Sequence, residues 1–324
     1  MSYATVIRQA WRKAPLVHKV FYGMTIVFIL MLFYNLKHQG KEGYEQQQAQ
    51  SKELNIKDDP ATIYDDFYVE IYDDLLFSKN KNDFEISEIV KATKPSAQSR
   101  ILDIGSGTGH HVSALDANGF TQVQGIDMSA SMVTKAKSTY PTLDFAVGNA
   151  LETMLFPGNS FTHITCLYFT IYYIQDKLLF FRNCLHWLAP GGYLILHLVE
   201  PNKFDPIMPA GDPFPILSPQ HYAEKRITQT TVKFDQFDYK ANFKMEPVDE
   251  KDEKPLTSAN AILTETFKMK PDGGVRKNEH RLYMPAERVI LRLALHEGFI
   301  VVSKSSMLKC QYENQNLYVL QKPT

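Results

Sequence analysis

The sequence predicts an α/β fold built on a mostly parallel sheet, and three observations predict it. Short apolar strands alternate with helical stretches between residues 100 and 199, the order that produces a parallel sheet with helices on its faces. A glycine-rich turn, Gly105-Ser106-Gly107-Thr108-Gly109, follows the first of those strands and opens a helix. The next strand ends in a carboxylate, Asp127, where a ribose diol is gripped in nucleoside-binding sheets.

Taken in chain order, residues 1–19 hold Arg8, Arg12, Lys13 and Lys19 and no acid. Val20 to Leu36 carry no charge and are apolar on every side of a helical wheel. As a helix this stretch is roughly 25 Å long, a little short of a ~30 Å hydrocarbon core. Lys19 and Lys37 can snorkel, and Tyr22 and Tyr34 can sit at the two interfaces. The expectation is a single-pass transmembrane anchor and hence a membrane localisation. The basic bias weakly places the N-terminus inside, which sets the domain on the side where a nucleoside cofactor is scarce, so the side it occupies stays open. Residues 37–59 are polar and read as a linker or a continued solvated helix.

The domain is expected over 60–324. Residues 60–94 look helical, and Tyr64, Tyr68 and Tyr72, four apart, share one face of a helix there, either as a packing stripe or as a lid. A helix over 108–118 leads to strand 121–127, and Ser129 caps a helix that runs to about 139. Strand 143–147 ends in Gly148-Asn149-Ala150. Strand 161–168 delivers Tyr168, Phe169, Thr170, Tyr172 and Tyr173 to the carboxyl edge of the sheet, and helix 176–188 and strand 193–199 complete the core unit. About 201–284 form an antiparallel insertion. It begins with a proline-rich irregular segment. Residues 228–245 alternate in part, and strands 261–270 and 275–284 are joined by Pro271-Asp272-Gly273-Gly274, a hairpin signal. A helix over 286–297, stopped by Gly298, and strands 299–304 and 316–321 bring the main sheet to seven strands.

The glycine spacing chooses among nucleoside cofactors. A dinucleotide fingerprint needs a third glycine where this chain has His110, and a phosphate loop needs a Gly-Lys-Ser/Thr ending that is missing. What remains is an acid followed by Gly-x-Gly-x-Gly, Asp103 to Gly109, with the acid Asp127 ending strand two and the turn Leu188-Ala189-Pro190-Gly191-Gly192 downstream. On these motifs the chain resembles the class I S-adenosylmethionine-dependent methyltransferases, well over roughly 60–200 and loosely elsewhere.

The resemblance implies a Rossmann-like fold with S-adenosylmethionine as the cofactor. It implies that Gly105, Ser106 and Gly107 let the methionine moiety lie on the backbone, with Asp103 shaping the turn. Asp127 would accept the ribose hydroxyls, Met128 pack on adenine, Asn149 and Ala150 bind the adenine edge, and Leu167 and Tyr168 line the floor. Asn149 departs from the acid common at that position, although its amide oxygen can still accept a hydrogen bond. The segment around Tyr64 looks like the N-terminal helix of small-molecule methyltransferases, which implies that Tyr64 and Tyr72 close a lid. The insertion resembles that of sugar N-methyltransferases and glycine N-methyltransferase.

For a general base the carboxyl edge offers His197 and Glu200, and His280 lies in the insertion hairpin with its register unknown. Cys166, Cys184 and Cys310 form neither a disulfide framework nor a zinc pattern, so no metal is expected. The formal net charge of −1 gives no reason to expect nucleic-acid binding. The expected activity is methyl transfer to a small-molecule or lipid-like acceptor. A protein acceptor and a non-catalytic scaffold of the same fold are the competing readings, and the oligomeric state is left open.

Overall fold

A computed structural model describes residues 54–207, 223–249, 256–271 and 273–324, with a few single positions besides. The chain divides into two units, Met1–Gln50 and Ser51–Thr324. The expected anchor at 20–36 and the basic segment before it lie outside the described residues, apart from isolated positions. Among the described residues no helix is long and apolar enough to cross a membrane.

The second unit is built on two sheets. The larger one has the strands β2 (Arg100–Ile104), β3 (Gln122–Asp127), β4 (Asp144–Val147), β5 (Phe161–Cys166), β6 (Leu188–Val199), β11 (Ile300–Ser306) and β12 (Gln315–Gln321). Their order is β11-β12-β6-β5-β2-β3-β4. β2 to β6 are mutually parallel, and β12 runs antiparallel between β6 and β11. Seven strands and a mostly parallel register are what the sequence predicts.

Neighbouring residues of β2 feed opposite cores, as the two-residue period of a strand requires. Ile101 packs with α2 (Lys79–Thr93), α3 (His110–Ala117) and α4 (Ala130–Thr139) through Ile86, Val112, Leu115 and Val133. Leu102 joins the other core, against α5 (Lys177–Trp187) and α6 (Glu287–Glu297) through Phe180, Phe181, Trp187 and Ile290. Cys166 and Cys184 are fully buried in that second core, and Cys310 is buried beneath β12; all three are free thiols.

The insertion is the second sheet, in the order β1-β10-β9-β8-β7. β7 (Gln229–Lys233), β8 (Phe237–Met245), β9 (Ala261–Met269) and β10 (Val275–Leu282) form an antiparallel meander. The linker expectation fails at its end: Leu54–Lys57 is a strand, β1, paired parallel with β10. α1 (Asp66–Leu76) lies on the inner face of this sheet, where Tyr68 and Leu75 meet Phe237, Tyr239 and Phe267. Asp65 caps α1 by accepting from the Tyr68 amide, and Arg276 of β10 donates to Asp65 at 2.7 Å and to the Ile63 carbonyl at 2.7 Å.

Candidate active site

Sheet order places a switch point between β2 and β5, from which the chain winds in opposite directions; ligands of open α/β sheets bind there, at the carboxyl ends of the strands. The glycine turn sits at that point. Gly105, Gly107 and Gly109 have φ of 72°, 52° and 91°, conformations that L side chains rarely adopt. A Cβ on Gly105 would stand 2.4 Å from Thr170 Oγ1, while one on Gly107 would meet only Tyr72, at 3.8 Å. The space above Gly107 is therefore a slot roofed by the Tyr72 ring.

The first amides of the turn are engaged within the protein. Gly105 and Ser106 donate to the Ile126 carbonyl at 2.8 and 2.9 Å, and Gly107 donates to Asp127 Oδ2 at 2.9 Å. Asp127 Oδ1 accepts from the Ser129 amide at 2.9 Å. The carboxylate thus ties β3 to the turn and still lines the cavity. Burial raises the Asp127 carboxyl, and the two amide bonds oppose that only in part.

The first cavity is walled by Gly105, Gly107, Asp127, Met128, Gly148, Asn149, Ala150 and Thr170, with Tyr64, Tyr72 and Tyr173 above. Met128 is half exposed at its mouth. Asn149 Oδ1 already accepts from the Leu151 amide at 2.9 Å. Ser106 lies beside the cavity under Tyr72 and Tyr168. Asp103 is buried beneath the turn and accepts from Thr165 Oγ1 at 2.6 Å; burial lifts it to about 6. Leu167 is buried with Ile89, Ile195 and Met307 and lines neither cavity. Tyr168, at φ 50°, turns the chain so that its ring faces a second cavity.

That second cavity shares Tyr64, Tyr72, Thr170 and Tyr173 with the first. Its other walls include Tyr68, Tyr168, Phe169, Phe204, Phe243 and Tyr312, with Lys81, His197, Asp205 and His280 among the polar ones. Lys81 is buried in an ion pair with Glu85, and its ammonium lies 3.4 Å from the centre of the Tyr168 ring. Burial lowers the Lys81 ammonium; Glu85, pulled down by Lys81 and His111 against the effect of burial, falls to about 2.

The two catalytic candidates fare differently. His197 lines the second cavity, but its ring is fully buried, pairs with Gln315 Oε1 at 2.9 Å, and is lowered by burial to about 3. At neutral pH it is a weak base. Glu200 lies past the end of β6, paired with Lys203 at 3.0 Å, and lines neither cavity. His280, whose register the sequence left open, projects from β10 into the second cavity. Its partner Glu265 was missed altogether; the only signal was its place on the buried face of a hairpin strand.

The residues fit S-adenosylmethionine. The open slot above Gly107 accepts an extended chain, the Asp127 carboxylate stands beside it, and Met128 and Ala150 offer an apolar pocket beyond.

Residues 101–192 match the family model of a methyltransferase domain. Over 106 residues the chain is 35% identical to a phosphoethanolamine N-methyltransferase of Triticum aestivum, covering 30% of this chain and 20% of that protein. It is 28% identical over 159 residues to a demethylmenaquinone methyltransferase of Chlorobaculum tepidum, covering 48% of this chain and 62% of that protein. The chain thus spans less than two thirds of the length of either relative. In fold it is similar to an S-adenosylmethionine-dependent methyltransferase from Clostridium acetobutylicum, with a TM-score of 0.57 at 18% identity over 80% of this chain and 98% of that one.

Proposed function

We propose that this chain is an S-adenosylmethionine-dependent methyltransferase acting on a small-molecule acceptor. The observation that carries the proposal is the pair of cavities with a common wall. One holds the glycine turn, Asp127 and Asn149; the other is an aromatic chamber reached past Tyr64, Tyr72, Thr170 and Tyr173. S-adenosylmethionine supplies an activated methyl group on a sulfonium. The protein's own task is to hold a nucleophile in line and to exclude water, which is mainly proximity and orientation. The rings of Tyr64 and Tyr72 suit a cation or a flat apolar acceptor, because aromatic faces attract cations, while the Tyr168 ring already carries the Lys81 ammonium. The names of the two relatives cover an amine and a quinone-type acceptor, and the chamber is compatible with either chemistry.

Membrane attachment through Val20–Leu36 is part of the same proposal and rests on the sequence alone. It brings the domain to a lipid-like acceptor. Full-length protein should resist alkaline extraction from membranes, and a chain lacking residues 1–37 should not.

The test is calorimetric titration of the full chain with S-adenosylmethionine and, separately, NADH. It is followed by transfer of labelled methyl to phosphoethanolamine, an amino sugar and demethylmenaquinol. Binding of the first ligand alone, with label on one acceptor, is expected. Binding of NADH, or of neither ligand, overturns the proposal.

A further inference from the structure

A chain of hydrogen bonds runs from the common wall of the two cavities into the insertion sheet. The Tyr64 and Tyr173 hydroxyls are 2.9 Å apart. The Tyr173 hydroxyl is 2.8 Å from His280 Nδ1. His280 Nε2 is 2.7 Å from Glu265 Oε2. Glu265 is fully buried and accepts three more bonds, from Tyr68, Tyr239 and Asn278, at 3.0, 2.8 and 3.1 Å.

The buried end of this chain is held by Glu265. Burial alone would raise Glu265, but His280 and the surrounding donors outweigh it and hold the carboxyl below its ordinary range. An ionised carboxylate only accepts. His280 must then donate from Nε2, and in its neutral form Nδ1 is an acceptor. With His280 neutral, Tyr173 donates to His280 and Tyr64 donates to Tyr173. The lone pairs left over belong to the tyrosine oxygens, and both tyrosines line both cavities.

We propose that Tyr64, Tyr173 and His280 form a proton relay, backed by Glu265, that receives the proton of a protic methyl acceptor, an amine being the class the aromatic chamber favours. This rests on the methyltransferase reading above. As the acceptor's lone pair forms the new bond to carbon, the carbon–sulfur pair stays on sulfur. Below the amine's own pKa the acceptor is an ammonium, so its N–H proton passes first to the tyrosine oxygen it faces and the hydroxyl protons shift along the chain to His280 Nδ1, which frees the lone pair for that bond. The imidazolium so formed is compensated by Glu265, a positioning residue that touches no acceptor. The groups facing His280 are Tyr64 and Tyr68 from α1 and the loop before it, Tyr173 from the turn after β5, and Glu265 from β9. On β10 itself Asn278 is two residues away, and Arg276, bonded to Asn278, is neutralised by Asp65.

The experiment is nitrogen NMR of the full chain labelled at histidine, with the His280 signal assigned by its loss in His280→Gln. The relay requires a neutral His280 protonated at Nε2 near pH 7.5. It also requires a shift of the Nδ1 signal in Tyr173→Phe and a fall of at least tenfold in the imidazole's proton affinity in Glu265→Gln. A ring protonated at Nδ1 when neutral, or an Nδ1 signal indifferent to Tyr173→Phe, overturns it whether or not any acceptor has been found. With phosphoethanolamine as the amine probe, His280→Gln should lower kcat by about 10²-fold or more, leave S-adenosylmethionine affinity within twofold, and recover as pH rises toward the amine's own pKa. A loss equal at every pH refutes the relay. Failure of the wild-type chain to bind S-adenosylmethionine sinks the functional proposal instead.

Discussion

Asp127 offers the sharpest test of the cofactor site because its carboxylate faces both the cavity and the protein. Replacing it with alanine deletes the acceptors of the Gly107 and Ser129 amides, each at 2.9 Å. A buried donor left unpaired costs about 1–3 kcal/mol, so Asp127→Ala should lower stability on that scale. If the same carboxylate accepts ribose hydroxyls, binding loses about 1.5–3 kcal/mol of charge-assisted hydrogen bonding besides, which is about 10- to 150-fold in Kd. The two losses separate in the assay. Denaturant unfolding reads the first, and calorimetry with S-adenosylmethionine under fully folding conditions reads the second. Asp127→Asn keeps one oxygen for an amide, so it should recover part of the stability and little of the affinity. The carboxyl is raised by burial, so affinity should also fall on acidification at a higher pH than an ordinary carboxylate would give. A folded Asp127→Ala protein that binds within twofold of wild type refutes the placement of the ribose.

Gly105→Ala puts a Cβ 2.4 Å from Thr170 Oγ1 at a φ of 72°; strain and overpacking together should cost about 2–5 kcal/mol, read as a lowered urea midpoint, and a neutral result would mean the turn is not as tight as drawn. Glu85→Gln strips the partner from buried Lys81 and His111 and should cost about 3–5 kcal/mol, whereas a loss below 1 kcal/mol would show that water reaches the pair. Asp103 is raised from 3.8 to about 6. The folded state therefore holds a proton that the unfolded chain releases, and stability falls as pH rises from about 4 to 6. Asp103→Asn, which stays neutral, should gain on wild type above pH 6 and not below pH 4; equal shifts in thermal midpoint at both refute the assignment.

Much of the nucleotide half of this molecule is legible because its signals are local. Three glycines at positive φ, Ser129 as a cap and Gly298 in the left-handed region after α6 are constraints that one or two residues declare by themselves. The insertion is less legible. β10 reads Val-Arg-Lys-Asn-Glu-His-Arg-Leu, with polar residues on both faces, so alternation cannot say which face is buried. The buried set turns out to be Arg276, Asn278, His280 and Leu282. Polar groups are tolerated there because Asp65, Glu265 and Tyr173 satisfy them from other elements, and two of those partners, Asp65 and Tyr173, lie far away in sequence. β1 was hidden for the same reason: four residues with no turn signal find their partner strand more than two hundred positions later. His197 and Glu200 drew attention by ending a strand at the ligand edge. Burial of the one and the surface pairing of the other are tertiary facts that no strand end announces.

The tyrosine stripe was open between packing and lid, and the structure splits it. Tyr68 is buried against β8 and β9 and touches only the second cavity, whereas Tyr64 and Tyr72 line both. The remaining question is whether α1 moves, and its fastenings say where to look. Asp73 near its end accepts from Thr108 Oγ1 of the glycine turn at 2.7 Å and lies 3.0 Å from His110 Nε2 at the start of α3. Ser129 Oγ donates to the Tyr64 carbonyl at 2.5 Å at its beginning. These fastenings join α1 to the glycine turn and to Ser129 in the wall of the first cavity, so a cofactor held under Tyr64 and Tyr72 is expected to be released as they give. Burial raises Asp73, but His110 and Thr108 outweigh it and the carboxyl lies below its ordinary value. Its contribution to the closed form is then present above the ordinary carboxylate range and lost as pH falls through the lowered value. Asp73→Asn should therefore speed both association and dissociation of S-adenosylmethionine by several-fold while changing Kd by much less, because the same barrier is lowered from both sides. Stopped-flow binding at neutral pH reads this directly. Unchanged rates would mean that α1 is fixed packing and that the cofactor enters by the open mouth at Met128 without it.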